Sequence, residues 1–583
     1  MGERSAVAET RTAAPRRLAL GWWVLGLLLL ATLAASIFFS PAARPPVGDE
    51  VTVAMAAASL AWDRDLTWAP ADSERFAEQW GTRPDRLRLR PRDGGFTYDT
   101  PSLYALLAAP MVRVAPVRGT IILNALLLAA AALLTARALS LHLGGAAPVW
   151  VTVLLFASVA FAYVFRVQSD VFLLAATATG FALIYGGERS RRKDEPLPEM
   201  YEPEPNARGG AALVRWLAAG ALLAVPATVH PLYLLLLVPA LLAATRVNRV
   251  VVVLGAAALL AAVLWTQGDL PDVQETWGSE APAFDMRSGT PREDRRSGSE
   301  EQREGMTLHP RLAGWNGLYF LAGRSTGVLP YFLPLLLGFA AYRGDRGRWA
   351  ILLAVVAIAA GFLLLRPFDF IGGEGAIANR LFLPLYAALW FLAARPVRVL
   401  PALVVIILAV PFLYILWSHP AAVALAGEPR SYTSPVAERW LPYETTQRHA
   451  PGRALFQNAL WLKLLDRDLW TPRGADSLRL LGGAELLAGS SLPVQVFVLE
   501  LDANAPSRLE IGGQELRPVL LRPDGSLAFE VPAGEPRAVH PLWWSRGEDY
   551  YLYDLDFRLP GAPAGPIRFR VLPRRDSMQR SDG

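Results

Sequence analysis

Long apolar blocks alternate with short charged stretches over residues 1–417 of the chain. The first block, Leu18–Phe39, runs for 22 residues without a charge. A helix of that length can cross the ~30 Å hydrocarbon core of a bilayer. The whole pattern predicts an α-helical polytopic membrane protein with about 11 transmembrane helices. The later predicted spans are 118–141, 148–165, 171–185, two short helices within 211–245, 250–266, 325–342, 349–365, 381–394 and 399–417.

The block Ala211–Thr245 is too long for a single span. At ~1.5 Å per residue it would form a helix of roughly 50 Å. Pro226 and Pro231 flank His230 near the middle of the block, and proline interrupts a helix. The block therefore predicts a hairpin of two short helices with His230 at its turn.

The distribution of charge predicts the orientation of these spans. Arg11, Arg16 and Arg17 precede the first block, and the short turns on the same predicted side also carry arginine. Because basic residues stay on the cytoplasmic side, we expect a cytoplasmic N-terminus. With an odd number of spans, the C-terminal region is expected to be extracytoplasmic.

The composition of the chain excludes several classes of catalytic and binding site. Of the 583 residues 53% are hydrophobic, and the net charge of +5 comes from arginines clustered in short loops. This charge indicates topology rather than a nucleic-acid partner. The chain has no cysteine, which excludes thiol catalysis, cysteine metal sites and disulfides. No Walker loop, dinucleotide fingerprint or HExxH motif is present, which argues against ATP-driven transport and zinc protease chemistry.

The periodicity changes after the last span. Apolar residues alternate with charged ones from Tyr551 to Leu559, as in a half-buried strand. Further predicted strands are Leu492–Leu501, Leu516–Leu521 and Ile567–Val571, with a turn at Pro523-Asp524-Gly525. The predicted domains are a membrane domain over 1–417 with a large outer loop at 41–117, a connecting helical region over 418–469 with a helix around Arg453–Asp468, and a sandwich-like extracytoplasmic β domain over 470–583.

Several ordered motifs follow the first span. They are Gly48-Asp49-Glu50, Asp63-Arg64-Asp65-Leu66 and Tyr98-Asp99-Thr100-Pro101, then Ser169-Asp170 before the fourth span and Asn379-Arg380-Leu381 before the tenth. Over residues 18–417 this set resembles the GT-C superfamily of polyprenyl-phosphate-sugar-dependent glycosyltransferases, especially the bacterial mannosyltransferase-like (family 39-like) members. The resemblance implies a multi-pass protein of the bacterial cytoplasmic (inner) membrane. It also implies inverting transfer of a sugar from a polyprenyl-phosphate donor to a glycan, lipid or protein hydroxyl on the extracytoplasmic face.

Such a transfer needs a base near the acceptor hydroxyl. Asp49 suits this role, with Glu50 orienting it, and the resemblance places the acidic Asp170 near them. Asp49 and Asp170 are also the candidate ligands of a divalent metal, Mg²⁺ or Mn²⁺, the one cofactor considered. The alternatives are that Asp49 and Glu50 only begin a helix, and that Asp170 caps a helix or pairs with Arg166.

Positive charge must also meet the leaving phosphate. Arg324, Arg366 and Arg380 all lie at predicted outer ends of spans, and their forked donors suit a phosphate. Each could equally anchor its span at the interface. Further candidate contacts with donor or acceptor are Tyr98, Asp99 and His230, although His230 could instead cap a helix.

The chain departs from the family pattern at one position. Related aminoarabinose transferases have a lysine before the proline of the third motif, where this chain has Thr100, so another cation must hold the donor phosphate. Two other functions stay open: a transporter or flippase of lipid-linked glycans, and an inactive member that binds glycans. For the latter, sugars would stack on aromatic residues of the tail, namely Trp543, Trp544, Tyr550, Tyr551 and Tyr553.

Overall fold

The structure is a computed structural model of the whole chain. It describes residues 14–38, 46, 49–84, 87–92, 95–100, 102–186, 210–267, 284–285, 290–291, 310–342, 346–366, 370–372, 376–396, 399–426, 432–442, 444, 453–457, 460–464, 470–473, 477–480, 483–490, 494–503, 505–511, 514–521, 525–534, 538–540, 550–560 and 567–573. The charged, proline-rich stretch Glu188–Arg208 is predicted from the sequence to be a solvated cytoplasmic linker. This linker lies outside the described residues, as do the Pro523-Asp524 part of the predicted turn, Trp543 and Trp544.

Helices make up most of the described part of the chain before residue 445. They are α1 (Ala14–Phe38), α2 (Asp49–Trp62), α3 (Pro70–Trp80), α4 (Ser102–Val114), α5 (Gly119–Leu143), α6 (Ala147–Phe156), α7 (Asp170–Tyr185), α8 (Gly210–Ala224), α9 (Leu237–Ala243), α10 (Arg246–Gln267), α11 (Pro310–Ala322), α12 (Val328–Tyr331), α13 (Leu335–Ala340), α14 (Arg346–Leu365), α15 (Leu383–Leu389), α16 (Val399–Ser418), α17 (Pro420–Ala426) and α18 (Pro435–Trp440). Short 3-10 segments adjoin several of them: Gly144–Ala146, Val159–Phe165, Val225–Thr228, Pro231–Leu236, Arg380–Phe382 and Trp390–Leu392.

Six helical stretches within the described residues are long and apolar enough to cross a membrane. They are Leu20–Phe38, Gly119–Phe156, Gly210–Thr228, Arg246–Trp265, Gly347–Leu365 and Leu400–Ser418. Their outer faces carry exposed apolar side chains such as Trp23 and Leu27 on α1 and Ile407 on α16. Apolar faces of this extent suit contact with lipid rather than water. The predicted fold class, a polytopic α-helical protein with a C-terminal β region, is confirmed.

Several predicted spans are shorter or interrupted in the structure. Span 148–165 is α6 followed by a 3-10 segment, and span 325–342 is two short helices separated near Pro334. The predicted hairpin is present: α8 and α9 pack against each other, and His230 lies at the break between them. Prolines and 3-10 turns therefore divide some apolar blocks into pieces, and the count of 11 spans stays a prediction.

The first outer loop folds over one end of the bundle. Helix α2 packs against α4, and strands β1 (Leu89–Arg92) and β2 (Gly95–Tyr98) pair in antiparallel register. Asp72 in the first turn of α3 is buried and accepts hydrogen bonds from the backbone N–H of Ala69 and from the Tyr98 hydroxyl. This carboxylate therefore ties α3 to the β1–β2 hairpin.

The tail contains two antiparallel sheets. Their strands are β5 (Arg453–Gln457), β6 (Leu460–Leu464), β7 (Trp470–Arg473), β8 (Ser477–Leu480), β9 (Gly483–Ser490), β10 (Val496–Leu501), β11 (Leu509–Ile511), β12 (Gln514–Leu516), β13 (Leu520–Leu521), β14 (Leu527–Pro532), β15 (Ala538–His540), β16 (Tyr550–Arg558) and β17 (Ile567–Pro573). The first has the strand order β13-β14-β10-β17-β8-β7, and the second has the order β12-β11-β16-β9-β6-β5 with β15 beside β16. The rings of Phe497 in β10 and Tyr553 in β16 pack edge to face, with their centroids 5.3 Å apart, so both sheets share one core. Two further short strands, β3 (Phe284–Asp285) and β4 (Thr290–Pro291), pair with each other between α10 and α11.

The predicted helix around Arg453–Asp468 is wrong. Strands β5 and β6 occupy its described residues, and β6 pairs with β9 along Leu460–Leu464. Leucines at positions 460, 462 and 464 recur with the period of two that a strand requires. The sheets therefore begin at Arg453 rather than at 470, and the described helices of the connecting region are only α17 and α18.

Candidate active site

The site is built around the first turn of α2, which begins with Asp49 and Glu50. Acidic residues are favourable there because the N-terminal turn of a helix carries partial positive charge. The two side chains have different surroundings: Asp49 is 22% exposed, whereas Glu50 is 1% exposed. One of the pair therefore faces outward from the helix bundle and the other faces into it.

Glu50 forms a buried ion pair. Its Oε1 atom lies 3.0 Å from Nε of Arg166 and accepts a hydrogen bond from the backbone N–H of Val167 at 3.1 Å. Arg166 in turn donates from Nη1 to the carbonyl oxygen of Ala424 at 2.7 Å. Glu50 therefore fastens the start of α2 to the segment before α7, and Asp170 is not the partner of Arg166 in these contacts.

A polar residue that the sequence analysis missed supports this pair. Asn124 of α5 is fully buried, and its side-chain amide donates to the carbonyl oxygen of Arg166 at 2.8 Å. Its Oδ1 accepts from the Tyr104 hydroxyl at 2.9 Å. The sequence could have indicated Asn124, since it lies inside an apolar block. Burying a polar side chain in a membrane costs free energy, so such residues usually have a structural or functional role.

Arg380 joins the two candidate catalytic aspartates. Its Nε lies 2.6 Å from Oδ1 of Asp170, and its Nη1 lies 3.1 Å from Oδ2 of Asp49. The same Nη1 donates to the carbonyl oxygen of Gly372 at 3.1 Å. The structure therefore brings Asp49, Asp170 and Arg380 into direct contact, and we call these three the acid–arginine cluster.

Local structure positions Arg380. It begins a 3-10 turn that Asn379 caps, since Oδ1 of Asn379 accepts from the backbone N–H of Phe382 at 3.1 Å. Asp170 is likewise the first residue of α7. The cluster thus forms where the starts of α2, α7 and this 3-10 turn meet. The remaining oxygen of Asp170, Oδ2, is buried without a hydrogen-bond partner among the described residues, which is costly unless a bound polar group satisfies it.

A second arginine reaches Asp49 from the outer loop. Nη2 of Arg88 lies 3.1 Å from Oδ1 of Asp49, and the Arg88 side chain is half exposed. Arg88 is not among the candidates predicted above, although it lies in a run of alternating arginines, Arg-Leu-Arg-Leu-Arg at 86–90, that could have indicated it. Each oxygen of Asp49 therefore has an arginine beside it.

Tyr98 and Asp99 lie in the loop and not in the cluster. The Tyr98 hydroxyl donates to Oδ2 of Asp72 at 2.8 Å, and burial raises the pKa of Tyr98, so the phenol keeps its proton. Burial also raises the pKa of Asp72. Asp99 lies 2.7 Å from Nε of Arg90. Both candidates therefore contribute to the structure of the hairpin that directly follows Arg88.

The other candidates, Arg324, His230 and Arg366, have different partners in these contacts. Nε of Arg324 donates to the carbonyl oxygen of Leu441 at 3.3 Å. His230 is buried, accepts at Nδ1 from the backbone N–H of Leu232 at 3.3 Å, and packs edge to face on Phe362. This is the geometry of a helix cap. Arg366 follows the end of α14 and is near enough to His230 to interact with it electrostatically.

The donor set does not fit a divalent metal. Arg380 lies between Asp49 and Asp170, where a cation bound by both carboxylates would have to be. Across the residues that the structure describes, no group of three or more His, Asp or Glu side chains could hold a metal ion. The positive charge between the two carboxylates is the guanidinium of Arg380.

Fold and site together define a polytopic α-helical membrane protein with an acid–arginine cluster at one end of its helices. No family model and no curated protein matches the chain. Among solved structures, it is similar to the crystal structure of ArnT from Cupriavidus metallidurans bound to undecaprenyl phosphate, at 16% identity and a TM-score of 0.35. The match covers 64% of this chain and 59% of that chain, so it spans less than two thirds of ArnT.

A likeness with this identity and TM-score does not transfer substrates or residue roles. The chemistry therefore has to follow from the acid–arginine cluster itself.

Proposed function

We propose that the chain is a membrane glycosyltransferase that moves a sugar from a polyprenyl-phosphate donor to an acceptor hydroxyl. The observation that carries the proposal is the acid–arginine cluster, in which a partly exposed Asp49 shares the guanidinium of Arg380 with Asp170. A base and a phosphate-binding cation are the two groups that this transfer requires of the protein. The motifs around Asp49 and Arg380 also resemble those of transferases that use such donors.

Asp49 acts as the base in this mechanism. The acceptor oxygen attacks the anomeric carbon of the donor, the bond from that carbon to the phosphate oxygen breaks, and the acceptor proton moves to a carboxylate oxygen of Asp49. The products are the glycosylated acceptor and the free polyprenyl phosphate, with inversion at the anomeric carbon. Asp49 can take this role because it keeps an exposed surface, whereas Glu50 is committed to Arg166.

Arg380 and Arg88 hold the leaving phosphate. In the absence of a donor both pair with Asp49, which neutralises the carboxylate. A dianionic phosphate competes for the same guanidinium groups, because an arginine binds a phosphate through parallel hydrogen bonds. When the phosphate takes over part of these contacts, Asp49 loses positive neighbours and becomes a stronger base. Donor binding would thus prepare the acid for the reaction.

The proposal predicts two measurable properties of the purified protein. Native mass spectrometry is expected to show a bound polyprenyl phosphate, and incubation with a polyprenyl-phosphate sugar and a hydroxyl acceptor is expected to release free polyprenyl phosphate with sugar on the acceptor. If the protein instead moves the intact lipid-linked sugar across vesicle membranes without cleaving it, it is a transporter. Absence of both binding and cleavage would leave the glycan-binding alternative.

The donor sugar, the acceptor and the extracytoplasmic orientation belong to the same proposal. Glycan, lipid and protein hydroxyls all present the same attacking oxygen. An acceptor panel in the transfer assay, with the anomeric configuration of the product read by NMR, distinguishes them and tests inversion.

A further inference from the structure

The chain returns to the candidate active site after the last long helix. We call residues 432–442 and Glu444 the return segment; it lies between α17 and the first strand of the tail and contains α18. Tyr432, Thr433, Ser434 and Glu444 are buried, although this part of the sequence is rich in polar residues. Burial of these groups means that the segment packs into the membrane domain rather than joining two domains loosely.

Glu444 binds the turn that carries Arg324. Its Oε1 accepts hydrogen bonds from the backbone N–H of Ser325 at 2.7 Å, the backbone N–H of Thr326 at 2.8 Å and the hydroxyl of Thr326 at 2.9 Å. A Cβ atom at Gly323 would lie 2.4 Å from the same oxygen, so this close approach requires glycine. One buried carboxylate therefore fixes the conformation of the Arg324 turn, residues 323–327.

Main-chain contacts reinforce this arrangement. The backbone N–H of Arg324 donates to the carbonyl oxygen of Pro442 at 2.8 Å, and its side chain donates to the carbonyl oxygen of Leu441. The Tyr331 hydroxyl donates to the carbonyl oxygen of Arg324 at 2.6 Å, and the Tyr331 ring packs edge to face on Tyr432. Both ends of Arg324 are thus held by the return segment or by a residue packed against it.

Tyr432 connects the Arg324 turn to the residues before Arg380. Its hydroxyl donates to the carbonyl oxygen of Ser325 at 2.8 Å and accepts from the backbone N–H of Ala378 at 3.1 Å. Ala378 has a positive φ of 55°, a conformation that is strained for alanine and persists only where the surroundings impose it. Arg380 follows two residues later, so the Tyr432 hydroxyl stabilises the strained approach to the acid–arginine cluster.

We propose that Tyr432 and Glu444 are positioning residues that hold Arg324 and the Arg380 turn, residues 376–380, in the geometry that meets the donor phosphate. The proposal rests on the proposed function for the identity of the ligand, and on the hydrogen bonds above for the positioning. It makes the return segment part of the donor site, although it lies beyond the last long helix. The tail strands then begin only nine residues after a segment that is fixed to the site.

The test uses two conservative variants and a matched control in the full chain. Tyr432→Phe removes only the hydroxyl that joins the two turns, and Glu444→Gln keeps the side-chain shape but removes the charge. Tyr553→Phe is the control, because its hydroxyl is also buried and also accepts from a backbone N–H, that of Val494 at 2.8 Å, but within the β region. Hydrogen–deuterium exchange and steady-state kinetics with a polyprenyl-phosphate sugar are measured for all four proteins.

In Tyr432→Phe, exchange at Ala378 is expected to rise about five- to tenfold, as the loss of one hydrogen bond predicts. In Glu444→Gln, the rise is expected at Ser325 and Thr326. In both variants KM for the donor is expected to rise about tenfold with a smaller change in kcat, and Tyr553→Phe is expected to change neither measurement at the site. Two results would overturn the positioning role. One is wild-type hydrogen exchange at Ala378 in Tyr432→Phe, or at Ser325 and Thr326 in Glu444→Gln. The other is a KM for the donor that equals the KM of the Tyr553→Phe control.

The two proposals fail in different ways. If the wild-type protein neither binds nor cleaves the donor, the proposed function fails, and exchange at Ala378, Ser325 and Thr326 alone decides whether the return segment positions the two turns. If wild type is active and both variants match the control, the proposed function stands and the positioning role fails.

Discussion

Asp49 and Glu50 are neighbours in the chain with opposite surroundings. Glu50 is enclosed with Arg166, so its carboxylate is fixed and has no path to a substrate. Asp49 stays partly exposed between Arg88 and Arg380. If the two acids only stabilised the N-terminus of α2, one would not need to be buried and the other exposed, because either could interact with the helix terminus from the surface. The division favours a structural role for Glu50 and a chemical one for Asp49.

Asp49→Asn is expected to lower the transfer rate by about 10²–10⁴-fold at saturating donor, because the amide keeps the shape but cannot take a proton. Donor binding, measured by native mass spectrometry, is expected to persist. Asp63→Asn is the control, since Asp63 also pairs with an arginine, Arg75, but in the outer loop. A turnover rate near wild type in Asp49→Asn would reduce Asp49 to a helix-start residue.

Arg380→Lys is expected to weaken donor binding by about 10–100-fold, because a lysine cannot reproduce the charge-assisted hydrogen bonds of the guanidinium. Lysine is preferred to alanine here because Asp170 is 3% exposed and would lose its only ion-pair partner among the described residues. The measurement is a donor titration followed by native mass spectrometry, with Arg75→Lys as the control. Equal affinities in the two variants would assign the phosphate to another cation.

Sequence reasoning identified the members of the cluster but not their pairing. Asp49 and Arg380 are separated by 331 positions, and nothing in the periodicity of either segment indicates which acid an arginine meets. The sequence leaves Arg166 open as a partner of Asp170, whereas Arg166 pairs with Glu50 in the structure. Ion pairing depends on how the spans pack, and span packing is set by side-chain shape over many residues, which hydropathy does not record.

At the scale of elements, the apolar blocks predicted the membrane helices where each block is continuous. The blocks of α1, α10, α14 and α16 are long helices in the structure. The prediction is less accurate near Pro334, where span 325–342 is divided into two short helices, and over 460–464, where the predicted helical region is strand β6. Short apolar segments suit either secondary structure, and pairing with a distant strand such as β9 decides between them.

Helix α2 is expected to depend on its buried ion pair. Glu50→Gln leaves the Arg166 charge buried without its partner, which is expected to cost about 3–5 kcal/mol of stability. The double variant Glu50→Gln/Arg166→Met removes the charge as well and is expected to recover part of this loss. The stabilities of the wild type, the single variant and the double variant are compared by thermal unfolding in detergent. Additive losses in the double variant would mean that the two side chains do not stabilise α2 as a pair.

At the scale of the whole molecule, the predicted topology can be tested directly. Reporter fusions after residues 195, 290 and 450 are expected to give cytoplasmic, extracytoplasmic and extracytoplasmic signals. The reason is the arginine-rich turns on one side of the spans, since basic residues remain cytoplasmic. A cytoplasmic signal at 450 would imply an even number of spans and would move the tail to the other side of the membrane.

The tail is expected to be separable from sugar transfer, provided that the return segment is kept. A boundary near Asp466 would divide a sheet, because β6 pairs with β9 along its whole length. A chain that ends after residue 450 avoids this and retains Tyr432 and Glu444. It is expected to bind and hydrolyse the donor like the full chain, with altered acceptor affinity or stability.

A chain that ends after residue 430 loses the return segment and is expected to lose donor binding. The measurement is donor binding and donor hydrolysis by both truncated proteins, after each has been checked for folding. A well-folded chain ending after 450 that no longer binds donor would place part of the donor site in the β region.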